Sequence, residues 1–227
     1  MTDRLILFDI DGTLVHVAEE IAFARALHEH CGGPVDLGFA ADMVISDDGY
    51  VRGVLRRAGL DHGDAEVDAA LARFVAHLRA AIAADESPVR PIAGAAALLD
   101  SLRANAVPLA LATGCVEPSA RAKLTAVGLH AHFPCGGFSH REQAREEILA
   151  RAVASAAAHY GRRFAPPQVT YVGDGVWDIA AARAIGARFI GVNERPEGRD
   201  RLRAAGAEVV FSDYDDVAPV LQALLGR

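Results

Sequence analysis

The sequence predicts an α/β protein made of repeated βα units around a parallel sheet, and three short stretches carry that reading. Leu5-Ile6-Leu7-Phe8, Pro108-Leu109-Ala110-Leu111-Ala112 and Val169-Thr170-Tyr171-Val172 are apolar runs of strand length. Each ends in a polar or glycine-rich turn, and each is followed by a helix-like pattern rather than a hairpin signal. Open parallel sheets gather their sites at the carboxyl ends of the strands, so the three turns are expected to meet at one edge.

The first run leads into Asp9-Ile10-Asp11-Gly12-Thr13-Leu14. Acids at i and i+2 project to the same side of a strand end and repel each other unless a cation or a shared proton compensates, and a divalent metal is the simplest compensation. Gly12 frees the backbone to curl, so that the N–H groups of the turn can face an anion. From Leu14 to Val107 there is no clear strand. Glu19 to Cys31, Asp47 to Ala58 and Asp64 to Ala84 read as helices rich in Ala, Arg, Leu and Glu. Gly32-Gly33-Pro34 and Gly59 to Gly63 break them.

Near Pro88 to Pro91 the chain returns to the strand-bearing part, followed by a helix over Ile92 to Ala104. The second run ends in Thr113-Gly114, and Glu117-Pro118-Ser119 opens the next helix with proline in its first turn. A short strand is expected near Phe133, and Ala152 to Ala158 fits an amphipathic alanine helix. The third run empties into Gly173-Asp174-Gly175-Val176-Trp177-Asp178, again an acid at a glycine-rich strand end, and Trp177 is expected to pack against the sheet. Phe189 to Val192 and Val209 to Phe211 complete the strands.

Composition excludes several classes. A formal net charge of −7 argues against a broad nucleic-acid surface. No apolar stretch approaches the ~20 residues of a membrane span, and Met1-Thr2-Asp3-Arg4 runs into a strand without a signal-like apolar region. The odd count of three cysteines, Cys31, Cys115 and Cys135, points to reduced thiols, hence to the cytoplasm. Cysteines and histidines lack chelating spacing, which speaks against structural zinc. Of 23 basic residues every one except Lys123 is arginine, so this lysine stands out where a compact ammonium is needed.

Asp9-Ile10-Asp11-Gly12-Thr13, then Thr113, then a lysine, then Gly173-Asp174-Gly175 with Asp178, resemble the four ordered motifs of the haloacid dehalogenase superfamily. The likeness spans nearly the whole chain and is closest to phosphoglycolate phosphatase-like members with a helical cap of the first type. It implies a Rossmann-like doubly wound parallel sheet of order 3-2-1-4-5, with a catalytic core at 1–14 and 88–227 and a helical cap at 15–87. It makes Asp9 the nucleophile that forms an aspartyl-phosphate and Asp11 the general acid and base. Magnesium would be bound by Asp9, Asp11 through its main-chain carbonyl, and Asp174, with Asp178 as a further or outer ligand. For Asp178 the ordinary alternative is a helix-start acid. Thr113 would donate to a phosphoryl oxygen beside Gly114, Gly12 and Thr13. Lys123 would be the phosphate-binding cation, with Arg141, Arg145 or a surface role for the lysine as alternatives.

The resemblance implies a phosphatase acting on a small phosphorylated metabolite. Asp11 disfavours a dehalogenase, and a cap without lysine disfavours phosphonoacetaldehyde hydrolase. A phosphohexose mutase and a non-catalytic phosphate-sensing protein remain as alternatives, and the oligomeric state stays open. Many phosphoglycolate phosphatases carry an Asp-Ser pair where this chain has His16-Val17. In the cap, Ser46-Asp47-Asp48-Gly49-Tyr50-Val51-Arg52 could present Tyr50 or Arg52 to the substrate, or simply cap a helix through Ser46 or Asp47.

Overall fold

In the computed structural model, residues 3–39, 43–141 and 144–226 are described; Met1, Thr2 and residue 227, which the sequence reading includes, lie outside them. The chain begins with β1 (Leu5–Phe8) and β2 (Val15–His16), followed by α1 (Glu20–Cys31), α2 (Asp47–Arg57), α3 (Asp64–Ala83) and β3 (Arg90–Pro91). Next come α4 (Ala95–Ala104), β4 (Leu109–Ala112), α5 (Glu117–Ala126), β5 (Gly136–Gly137), α6 (Arg145–Tyr160) and β6 (Val169–Gly173). The order closes with α7 (Val176–Ala184), β7 (Arg188–Val192), α8 (Pro196–Ala204), β8 (Val210–Phe211) and α9 (Val217–Leu225).

β1 is apolar throughout because both sheet faces are covered. Ile6 and Phe8 join a cluster with Leu98, Leu102 and Leu224, whereas Leu5 and Leu7 join Leu149, Ala152 and Ala181. The parallel sheet has the order β5-β4-β1-β6-β7-β8. This is the expected 3-2-1-4-5 order extended by β8. The register pairs Ile6 with Leu109 on one side and Leu5 with Val169 on the other, so the ends of β1, β4 and β6 lie together.

Two strand expectations need correction. The edge strand is Gly136–Gly137 rather than Phe133, which follows a 3-10 turn at His130–His132 and packs edge-on against Phe8. Its composition hid it: a Cβ on Gly137 would overlap the Ile148 carbonyl, so α6 can lie on β5 only over glycine. The stretch from Leu14 to Val107 also holds β2 and β3, which pair antiparallel through Val15↔Pro91 and His16↔Arg90. Two-residue strands leave no periodicity to read. They set the chain's entry to the helical insertion beside its exit. The helix expected from Ile92 begins at Ala95, after Gly94.

Within the insertion, Phe23, Leu27, Val51, Val54, Leu55, Leu71, Phe74 and Leu78 form their own core. The spacing of these residues on α1, α2 and α3 places one apolar stripe of each helix inward. Ser46 Oγ accepts the Gly49 N–H at 3.1 Å, so α2 has the expected side-chain cap. No helix among the described residues is long and apolar enough to cross a membrane.

Candidate active site

The β1 turn sets the geometry of the site. The Gly12 N–H donates to Val15 O at 2.9 Å and the Thr13 N–H to Ile10 O at 3.2 Å. These two amides therefore close the turn. Thr13 is fully buried, with its carbonyl accepting the Tyr214 hydroxyl at 2.9 Å. Gly12 is required for a different reason. It has φ +71°, and a Cβ there would overlap the Asp174 carboxylate, so only glycine lets that acid close on the turn.

Asp9 is buried at the end of β1, Asp174 follows β6, and Asp178 lies in the first turn of α7. Each offers a carboxylate oxygen within 4.8 Å of the others. Asp178 also closes its helix start, accepting the Gly175 N–H at 3.0 Å and the Tyr171 hydroxyl at 3.0 Å. Asp178 is thus a helix-start acid that also lies beside Asp9 and Asp174. Burial, with repulsion from Asp9, Asp178 and Asp11, raises Asp174 to about 8. Burial also raises Asp178 to about 7, against the pull of Arg145 and with repulsion from Asp9. Asp9 is raised by burial and by Asp11, with Arg145 and the Thr113 hydroxyl opposing. Three acids pushed toward protonation lack positive charge, and an all-oxygen donor set suits a hard cation such as magnesium.

Arg145, at the start of α6, is the cation beside this cluster. Its guanidinium lies 3.5 Å from Asp9 Oδ2 and 3.2 Å from Asp178 Oδ1. Its buried Nε and Nη1 have no hydrogen bond of good geometry. From β4, Thr113 hydrogen-bonds Asp9 and accepts the Cys115 N–H at 3.2 Å. Gly114 lies where a Cβ would press on Arg145 at 2.9 Å and on Ile45 O at 2.9 Å.

Lys123 is fully buried on α5 and turns to different partners. Its Nζ lies 2.7 Å from Asp11 Oδ2, 2.7 Å from Glu19 Oε2 and 3.3 Å from Cys115 Sγ. Burial lowers its pKa, but Asp11, Cys115 and Glu19 outweigh that and raise it. The lysine thus lies on the second acid of the β1 turn. The Cys115 thiol also donates to Asp11 Oδ2, at 3.0 Å, while the buried Asp11 Oδ1 has no partner. Arg141 is away from the acids, paired with Asp68 at 2.7 Å and Asp64 at 3.2 Å on α3.

The insertion closes onto these loops. Asp47 Oδ2 accepts the Val116 N–H and the Ser119 hydroxyl, both at 2.9 Å, and so caps α5 from across the site. Burial raises Asp47 to about 6, with Lys123 and the Val116 N–H opposing. Arg52 is not presented to a substrate, because Asp48, Asp64 and the His62 carbonyl hold it. Tyr50 does line the site, but its hydroxyl donates to Leu37 O at 2.7 Å. Trp177 corrects another expectation: it is 40% exposed and lines the cavity, while Asp178 of the same helical turn takes the side buried against Tyr171.

Asp9, Asp11, Thr113, Gly114, Arg145 and Asp174 share a cavity of about 520 Å³. The sequence offers Arg145 only as an alternative cation and Glu19 only as a helix start. The lone lysine drew attention, and one arginine among many did not.

A Rossmann-like sheet with paired acids after β1, a hydroxyl after β4 and acids after β6 defines a hydrolase of the haloacid dehalogenase class. The profile of the haloacid dehalogenase-like hydrolases matches residues 4–186, and the chain belongs to that family. It is 34% identical over 231 residues to a protein named phosphoglycolate phosphatase from Cereibacter sphaeroides, covering 97% of this chain and 98% of the relative. A protein of the same name from Rhodospirillum rubrum is 31% identical over 220 residues, covering 93% of this chain and 88% of the relative. The fold matches the crystal structure of CbbY from Rhodobacter sphaeroides in complex with phosphate, with a TM-score of 0.68, 21% identity, and 96% and 97% of the two chains covered.

Proposed function

We propose that the protein is a magnesium-dependent phosphatase of small phosphomonoesters that works through an aspartyl-phosphate on Asp9. The convergence of the Arg145 guanidinium and the Thr113 hydroxyl on the buried Asp9 carboxylate carries this reading. In one cavity, nucleophile, hydrogen-bond donor and cation are ready for a phosphoryl group.

An Asp9 oxygen attacks phosphorus while the bond to the ester oxygen breaks, and Asp11 delivers a proton to that oxygen. Asp11 then takes a proton from the water that attacks the aspartyl-phosphate, which releases phosphate and restores Asp9. Lys123 and the Cys115 thiol fix Asp11 Oδ2, which leaves Oδ1 for the proton. Lys123 is thus a positioning residue, and Arg145 is the cation for the phosphoryl oxygens. Asp9, Asp174 and the Asp11 main-chain carbonyl, with Asp178 beside them, would hold magnesium, whose positive charge offsets that of the phosphoryl group and the acids. Residues 15–87 act as a cap on a core at 1–14 and 88–227. Asp47 and Glu19 are their contacts with the chemistry.

The test is phosphate release from p-nitrophenyl phosphate with and without magnesium, for wild type and Asp9→Asn. Metal-dependent release that the variant loses while keeping its circular dichroism spectrum supports the reading. Release that survives Asp9→Asn contradicts it.

A further inference from the structure

We infer that the leaving group is an uncharged, largely apolar alcohol of aromatic size, such as a benzylic alcohol, and not a small carboxylic acid; this rests on the phosphatase reading above. Two cavities meet at the acids. Only the first is lined by Asp9, Thr113 and Arg145. The second, near His16, Arg90, Arg195 and Arg201, reaches the site at Gly12, Glu20 and Asp174. With phosphorus on Asp9, the ester group extends into the first cavity.

That cavity is too large and too apolar for glycolate. At about 520 Å³ it exceeds several-fold the roughly 150 Å³ that holds a benzene ring. Phe23, Leu37, Phe39, Ile45, Tyr50 and Trp177 form its apolar wall. Phe39, Ile45 and Trp177 are 63%, 39% and 40% exposed, among the few large apolar side chains left open on the described surface. The wall is also stiff. Phe23 stacks on Phe74 with centroids 3.6 Å apart, and Phe39 stacks on Tyr50 at 4.9 Å. Because the Tyr50 hydroxyl is engaged by Leu37 O, the wall offers ring faces.

Charge points the same way. Glu20 and Asp47 line the cavity, and among the described residues Arg145 is its one cation, already shared between Asp9 and Asp178. A carboxylate on the leaving group would leave water for a wall that repels it and offers no second cation.

The test compares kcat/KM for acetyl phosphate, benzyl phosphate and phosphoglycolate with the magnesium-loaded protein. Acetyl phosphate reports the phosphatase reading by itself, since it needs no wall. The expected result is that benzyl phosphate exceeds phosphoglycolate by about 10-fold or more, the scale of one or two apolar groups in a fitted pocket. Phe39→Ala and Trp177→Ala should each narrow that ratio, and Glu20→Lys should raise the phosphoglycolate rate. Turnover of acetyl phosphate with phosphoglycolate equal to or better than benzyl phosphate overturns the inference and leaves the phosphatase reading standing. No turnover of acetyl phosphate overturns both.

Discussion

Lys123 lies 2.7 Å from Asp11 Oδ2, and this pair separates the two cations of the site: lysine sits on Asp11, whereas Arg145 sits on Asp9. Removing the lysine should therefore disturb the proton and not the phosphoryl group. We expect Lys123→Met to lose about 10- to 10³-fold in kcat/KM, which reports formation of the aspartyl-phosphate, on alkyl phosphates. The loss on p-nitrophenyl phosphate should be much smaller, because that leaving group needs little protonation. Asp11→Asn should show the same selectivity, more strongly. Equal losses on alkyl and aryl esters would return Lys123 to the phosphate.

Arg145 should behave in the opposite way. It spans Asp9 and Asp178 from a buried position, so Arg145→Ala is expected to cost about 10²- to 10³-fold in kcat on alkyl and aryl esters alike. Arg145→Lys should recover little, because a point charge cannot reach both acids in the fork geometry of a guanidinium. Steady-state kinetics on two esters of different leaving-group acidity decides this. Full recovery by lysine would mean that charge alone matters there.

The parts of the molecule legible in the sequence are those where one physical demand dominates a stretch. β1 is apolar at each position because both faces are covered, and Asp9, Asp11 and Asp174 sit at strand ends that glycine opens. What stayed hidden depends on the partner and not on the residue. Gly136 and Gly137 form a strand because α6 lies against them, which no β propensity records. Arg145 is one arginine among many until α6 is placed beside Asp9. Lys123, conspicuous by composition, reaches Asp11 only because α5 and the β1 turn meet. Trp177 has the residue type of a core side chain, and its place in the first turn of α7 turns it outward.

Asp47 offers a stability test of how the insertion meets the core. Its carboxylate accepts the Val116 N–H and the Ser119 hydroxyl at the start of α5. Asp47→Ala should cost about 0.5–2 kcal/mol, the range for a lost helix cap. Asp47→Asn keeps an acceptor oxygen without the buried charge and should cost less. Urea denaturation of both variants measures the difference. An Asn variant as unstable as the Ala variant would assign the effect to charge and not to capping.

Glu19 gives a pH dependence whose sign is fixed. Its ordinary value is 4.5, and burial, offset in part by Lys123 and reinforced by Asp11 and Asp47, raises it to about 8 in the folded protein. Between these values the folded state holds a proton that the unfolded chain has released. Stability from this group is therefore present below about 4.5 and is lost as pH rises toward about 8. Lys123 stays charged across that window, because its own pKa is raised above the lysine range. Glu19→Gln keeps the shape and the hydrogen bond to lysine but cannot ionise. Its stability relative to wild type should rise steadily from pH 5 to about pH 8 and then level. Urea midpoints of the two proteins across that range give the answer: a stability difference that does not change with pH would show that Glu19 ionises normally beside Lys123.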